Sequence, residues 1–330
     1  MKVLITGITG FVGSHLADHI LDRNEGHEIY GLCRWRSPRE NLAYAYSRVS
    51  LVEADLMDLG ALIRHLETIR PEAIFHLAAQ SYVLTSFNAP VHTLWSNVIG
   101  TANLLEAVRI TKIDPVIHIC SSSEVYGQVR PEDVPIREDC PFKPASPYAV
   151  SKVGEDMIAF QYWVSHGIRT IRTRMFTHTG PRRGDVFAMS FFAKQIAAAE
   201  LGMREKIIHV GNLQSVRTFC DVRDAVRAYW LLVQKCEPGE VYNIGGNRTM
   251  TIGEALNILL SFSTATFEVR VDPKLLRPSD VTLQIPCTDK FRAVTGWTPE
   301  IPFEKTLEDM LAYWRDELSR NPWKALTVVR

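Results

Sequence analysis

The sequence predicts an α/β fold: a doubly wound parallel sheet with a smaller α/β carboxy-terminal domain. Three observations point there. Short apolar runs alternate with amphipathic stretches through the first half, a glycine-rich turn joins the first such pair, and the regular alternation fades beyond residue 174.

The run KVLIT (2–6) is apolar without alternation, as in a strand covered on both faces. In FVGSHLADHILDRN (11–24), Val12, Leu16, Ile20 and Leu21 recur at helical spacing. HEIYGLC (27–33), SLVEADL (50–56), EAIFHLAA (72–79) and DPVIHIC (114–120) read as further strands, and NVIGTANLLEAVRI (97–110) as a helix. Beyond them IRTIRTRMF (168–176) suggests another strand, while FFAKQIAAAELG and VRDAVRAYWLLVQK suggest helices. The expected division is 1–173 for the doubly wound sheet and 174–330 for the smaller domain, with a soft boundary that the chain is free to recross.

Hydrophobic residues make up 46% of the 330 and charged residues 22%, an ordinary globular balance. With 37 basic against 37 acidic residues, nothing indicates a nucleic-acid surface or a polybasic membrane patch. The six cysteines form no CxxC pair, so reduced thiols are expected rather than disulfides or a metal site. The opening apolar stretch is broken by Gly7 and Gly10 and lacks a small-residue cleavage site, unlike a signal peptide. No apolar run is long enough to span a bilayer. A soluble, cytoplasmic protein is the expectation.

The loop GITGFVG carries Gly7, Gly10 and Gly13 between the first strand and the first helix. Glycines there let the backbone turn tightly and approach a pyrophosphate, whose charge meets the helix N-terminus. A Rossmann dinucleotide site is therefore expected, with Phe11 and Val12 beside the glycines. An NAD site usually places a carboxylate about 20 positions further on, for the ribose 2′-hydroxyl. Here that place holds Cys33, followed by Arg34, Trp35 and Arg36. Nothing there repels a 2′-phosphate and Arg34 and Arg36 are able to bind one, so NADP is expected, with NAD as the alternative. Asp55 is placed to accept from the adenine amine.

KPASPYAVSK (143–152) sets Ser146 at a helix cap and Pro147 in the first turn, which puts Tyr148 and Lys152 on one helical face. A tyrosine normally titrates near 10, too high for a base at neutral pH. A neighbouring ammonium favours the phenolate and lowers that value. Upstream, HICSSSEVYG (118–127) ends the fifth strand in Ser121, Ser122 and Ser123, then places Glu124 and Tyr126 at the sheet's edge.

GITGFVG, FHLAAQS, NVIGT, CSSSEVYG, YAVSK and TGWTP together resemble the extended short-chain dehydrogenase/reductases, in their nucleotide-sugar branch, from Lys2 to about residue 316. The resemblance implies a catalytic triad of Ser122, Tyr148 and Lys152, organised by Asn97. It further implies that Leu56, Leu77, Ala78 and Ala79 line the cofactor and that Ser81, Ser86, Ser123 and Thr177 meet the substrate. GPRRGDVF (180–187), GNLQSVR (211–217) and LRPSDV (276–281) resemble the GDP-mannose 4,6-dehydratases, which implies GDP contacts from Arg182, Arg217, Arg277 and Asp280. Thr177 stands where that pattern has asparagine. HTLWSNVIGT (92–101) and the tail from Leu276 resemble the reductases of GDP-4-keto-6-deoxymannose and, for the first, epimerases.

The implied activity is dehydration of a GDP-hexose to its 4-keto-6-deoxy form. In it Glu124 removes the C5 proton, a step that a plain reductase or epimerase does not need. A reductase of a GDP-4-keto-6-deoxyhexose and a nucleotide-sugar 4-epimerase remain the alternatives. The resemblance also implies a homodimer or homotetramer, paired through helices near 97–110 and 147–165.

Overall fold

The computed structural model describes residues 1–326. Its first strand, β1 (Lys2–Thr6), runs into the glycine turn and α1 (Phe11–Asp22). There follow β2 (Glu28–Cys33), β3 (Ser50–Glu53), α2 (Leu59–Ile69) and β4 (Ala73–His76). Two short helices, α3 (Val83–Asn88) and α4 (Pro90–Leu94), lead through one π-helical turn, Trp95–Ile99, into α5 (Gly100–Thr111). The expected single helix over 97–110 thus begins with a wide turn. β5 (Val116–Ser122), α6 (Pro147–His166) and β6 (Thr170–Met175) complete this half.

Seven parallel strands form the main sheet in the order β3-β2-β1-β4-β5-β6 and then the later strand β10 (Val241–Ile244). The strand order reverses between β1 and β4, and ligands of such sheets bind outside the carboxyl ends at that point. α1 and α8 (Val222–Lys235) cover one face, burying Leu16, Ile20, Phe75, Tyr229 and Trp230. α2 and α5 cover the other through Leu62, Leu66, Leu104, Leu105 and Val108. Each large apolar side chain buried this way contributes about 1.5–3 kcal/mol, which is why the strands carry Val, Ile, Leu and Phe on both faces.

The second body is built on β9 (Val216–Asp221), paired with β7 (His178–Thr179), β11 (Arg248–Thr251) and β13 (Leu283–Gln284). β8 (Ile207–Val210) pairs with β12 (Glu268–Val271) beside it. α7 (Ala188–Glu200), α9 (Ile252–Ser261) and α11 (Phe303–Arg320) close over a core of Phe192, Ile196, Leu256, Leu307 and Leu311. α10 (Asp289–Thr295) packs instead on the first body, where Trp297 donates to the Asp224 carbonyl of α8. The chain thus recrosses the division expected at residue 174, because α8 and β10 complete the first sheet.

Two glycines show why the first turn is built as it is. Gly7 has φ +71°, and a Cβ there would lie 2.9 Å from the Ala78 backbone. A Cβ on Gly13 would lie 2.3 Å from the Gly7 carbonyl, so α1 packs against its own turn only without a side chain.

Candidate active site

Between the two bodies, at the carboxyl ends of the parallel strands, lies a cleft of about 780 Å³. Its floor is the turn after β1: Gly7, Gly10, Phe11, Val12 and Gly13 all line it. Gly10 caps α1 with no side-chain bond, so the helix's first N–H groups remain available to an anion. This cradle, which a single Cβ would fill, fits a dinucleotide pyrophosphate.

Thr6 fastens the floor to the next strand. Its Oγ1 accepts from the Leu77 and Ala78 amides at 3.1 Å each and lies 2.9 Å from His76 Nδ1. His76 Nε2 lies 3.0 Å from Thr101 Oγ1, which already donates to the Asn97 carbonyl. The ring must therefore donate from Nε2 and accept from Thr6 at Nδ1. Burial, aided by the Lys152 charge, lowers its pKa to about 3, which keeps it neutral.

The far end of the cleft holds Leu32, Arg34, Ser37, Ala54, Asp55 and Leu56, with Ala79 and Ser81 nearer the middle. Asp55 accepts from the Met57 amide at 2.9 Å. Arg36 is placed elsewhere: its guanidinium stacks 4.5 Å over Trp35, outside the cleft, so of the two expected arginines only Arg34 lines it. Ser86 is also outside, because its hydroxyl is buried and donates to the Val83 carbonyl at 2.6 Å.

The reactive groups meet in the middle. β5 runs two residues further than its apolar run suggests, so Ser121 and Ser122 end the strand and Glu124 falls second in a tight 3-10 turn, Ser123–Tyr126. The Ser122 hydroxyl accepts from the Glu124 amide at 3.2 Å and lines the cleft together with Tyr148. Ser146 caps α6 as expected, accepting from the Ala149 amide at 3.1 Å. Tyr148 and Lys152 then face β5, with the Lys152 ammonium 5.9 Å from the phenol ring centre. Burial pushes the Tyr148 phenol above its ordinary value, while Lys152 and the Ser122 hydroxyl pull it down. Asn97, in the π-turn, brackets Gln80 by accepting from its amide at 2.8 Å and donating to its carbonyl at 3.0 Å. It also donates to Ser151 Oγ at 2.8 Å, locking α6 to the turn. A π-turn is rare in a helix and tends to occur where a functional group needs aiming.

On the other wall stand Glu124, Thr177, Arg217, Arg277, Asp280 and Ser123, whose hydroxyl donates to Gln284 Oε1 at 3.2 Å. Arg217 donates to the Val216 and Val281 carbonyls, and the Glu124 and Asp280 charges favour its cation against the cost of burial. Asp280 accepts from Asn212 at 2.7 Å and Ser215 at 2.9 Å, so it joins the two turns from which Arg217 and Arg277 project.

Arg182 is a correction. It has φ +67°, points to α1 and pairs with Asp18 at 2.6 Å, outside the cleft. Adjacent side chains on this turn diverge, and it is Arg183 that faces the cavity. Its guanidinium lies 3.9 Å from the Phe187 ring centre and 5.1 Å from that of Phe11. Burial lowers its pKa to about 10, partly offset by Tyr148, which leaves it cationic at neutral pH. The doublet RR showed that an arginine stands here, not which one turns inward. Glu155 was likewise unforeseen: it lies one turn beyond Lys152 and its Oε2 accepts from the ammonium at 2.8 Å. The i,i+3 Lys–Glu spacing in KVGE was a signal for it. Among the described residues no cluster of His, Cys, Asp and Glu suits a metal, and no helix is long and apolar enough to cross a membrane.

A dinucleotide-binding Rossmann sheet whose cleft gathers a serine, a tyrosine and a lysine defines an extended short-chain dehydrogenase/reductase of the nucleotide-sugar branch. A family model described as GDP-mannose 4,6 dehydratase matches residues 4–310, and the chain belongs to that family. A Pseudomonas aeruginosa protein named GDP-6-deoxy-D-mannose reductase is 32% identical, over 96% of this chain and 98% of its own. A GDP-mannose 4,6-dehydratase from Yersinia enterocolitica is also 32% identical, over 94% of this chain and 93% of its own. The solved structure of RMD from Pseudomonas aeruginosa complexed with NADPH superimposes with a TM-score of 0.84 at 30% identity, covering 96% of this chain and 99% of that one.

Proposed function

We propose that this protein dehydrates a GDP-sugar, GDP-mannose or its larger manno-heptose relative, to its 4-keto-6-deoxy form with tightly held NADP. What supports this reading is the match to the GDP-mannose 4,6 dehydratase family model, together with a carboxylate, Glu124, that lines the same cleft as Ser122, Tyr148 and Lys152.

Gly7, Gly10, Phe11, Val12 and Gly13 would hold the cofactor pyrophosphate, Arg34 the 2′-phosphate and Asp55 the adenine, with Leu56, Leu77, Ala78 and Ala79 along its length. NADP, when bound, supplies a reversible store for the hydride that leaves sugar C4 and returns to C6. Tyr148 takes the proton from the 4-hydroxyl, with Lys152 and Ser122 stabilising the phenolate. Ser122 and Tyr148 then hold the new ketone oxygen, which acidifies the C5 hydrogen. Glu124 would remove that proton and pass it to the C6 hydroxyl, which departs as water, and the proton taken up by Tyr148 would return to C5 as C6 is reduced, so the side chains end as they began. Arg183, Arg217 and Arg277 carry the diphosphate charge, Asp280 orients the last two, and Ser81, Ser123 and Thr177 address the sugar.

Arg183→Gln should weaken GDP binding more than tenfold, since a charge-assisted hydrogen bond is worth about 1.5–3 kcal/mol. Titration calorimetry with GDP reads this, and the same change at Arg182 should cost less.

The named reductase among the relatives supports a second reading, reduction of a GDP-4-keto-6-deoxyhexose with stoichiometric NADPH. Incubation of GDP-mannose with catalytic NADP⁺, followed by mass spectrometry, separates the two. Loss of one water from the nucleotide sugar supports the dehydratase; unchanged GDP-mannose rejects it.

For assembly, α6 leaves Val150, Met157, Phe160 and Val164 exposed, and Trp95 and Ile99 are exposed on the neighbouring turn. Such a patch suits self-association into a homodimer or homotetramer.

A further inference from the structure

The cleft's ammonium is not free. Lys152 Nζ donates to the Cys120 carbonyl at 2.9 Å and to Glu155 Oε2 at 2.8 Å, which uses two of its three donors. Glu155 is buried on the inner face of α6, and its other oxygen, Oε1, is buried with no hydrogen-bond partner. A carboxylate in that position carries a desolvation cost that a neutral side chain would avoid.

Its electrical effect falls on Tyr148. A full ammonium beside a phenol stabilises the phenolate, but an ammonium paired to a carboxylate at 2.8 Å presents a much smaller net field. Burial raises the Tyr148 phenol and Lys152 lowers it, whereas Glu155 acts in the opposite sense to Lys152. Arg183, the other cation that acts on Tyr148, is common to the wild type and the variants, and the remaining neighbours leave the pair as the variable element. On α6 itself, Asp156 is bound to Arg172 and Arg174 of β6 at 2.9 Å each. On β4 and β5, His76 and His118 are held neutral by burial, and Cys120 of β5 and Tyr229 of α8 are pushed up by burial.

We propose that Glu155 is a positioning residue for proton transfer: it pins the Lys152 ammonium against β5, leaves a single donor for ligand, and partly cancels the positive field at Tyr148. This rests on Tyr148 being the proton-transfer residue, which the dehydratase and reductase readings share. The carboxylate makes the phenol a stronger base than lysine alone would allow, at the expense of its ionisation at neutral pH.

The test reads the phenol directly, without turnover. The ionisation of Tyr148 is followed by phenolate difference absorbance in NADP⁺-saturated protein, each protein measured against its own Tyr148→Phe counterpart. Glu155→Gln keeps the size and an acceptor but removes the charge, and should lower the Tyr148 midpoint by roughly one pH unit. Glu155→Asp withdraws the carboxylate by one methylene and should give a midpoint between the two; it also serves if the glutamine variant does not fold. Unmoved or raised midpoints in the variants would overturn the proposal, whatever nucleotide sugar the enzyme turns out to use. A wild-type protein that converts neither GDP-mannose nor its 4-keto-6-deoxy derivative would reject the proposed function and leave this result intact.

Discussion

Tyr148→Phe is expected to abolish hydride transfer from GDP-mannose while leaving the protein folded. The substitution deletes one oxygen from a side chain only 9% exposed, so the packing of α6 on β5 is retained. What is lost is the group able to take the 4-hydroxyl proton as C4 is oxidised. The phenol shares the cleft with Ser122, and the Ser122 hydroxyl and the Lys152 charge oppose the effect of burial on it. General acid–base help of this kind contributes roughly 10²–10⁴-fold. Stopped-flow absorbance of reduced nicotinamide should show no signal, while nucleotide binding and the melting temperature change little. An unaltered rate would remove the tyrosine from the mechanism.

Glu124→Gln should separate the steps that Tyr148→Phe stops together. Oxidation at C4 needs no carboxylate at residue 124, so reduced nicotinamide should still appear after mixing with GDP-mannose. Removal of the C5 proton does need it, and product formation should fall by roughly 10²–10⁴-fold. In deuterated water the wild type should also exchange the C5 hydrogen, and the variant should not. Full dehydration by this variant would exclude Glu124 as the base. If the protein is instead a reductase, the substitution should leave the rate of ketone reduction nearly intact.

Much of the sheet was legible because its strands are covered on both faces. KVLIT and DPVIHIC have to be apolar whatever the rest of the chain does, and the glycine turn follows from the backbone approach seen at Gly7 and Gly13. Where a residue's role depended on local helix geometry, the sequence was again informative: Ser146, Pro147, Tyr148 and Lys152 stand in one capped helix. Orientation on loops was not. Whether Arg182 or Arg183 faces inward depends on a left-handed turn closed by Asp18, a contact from α1 that no local pattern announces. Arg36 folds back on Trp35 for the same reason: a surface cation finds a nearer aromatic face. Ser86 reads as a substrate contact until its helix turns the hydroxyl onto its own backbone. The π-turn at Asn97 was also hidden, because its polar partners, Gln80 and Ser151, lie far along the chain.

The recrossing of the chain through α8 and β10 bears on how such an enzyme can change its substrate. A lobe joined by one linker can be exchanged like a cassette, but here residues 222–244 complete the first body after the second has begun. Cutting at residue 173 would strip the sheet of an edge strand and uncover the face that Tyr229 and Trp230 seal. New specificity must therefore arise by altering the turns that rim the cleft, not by grafting a foreign module onto a conserved half.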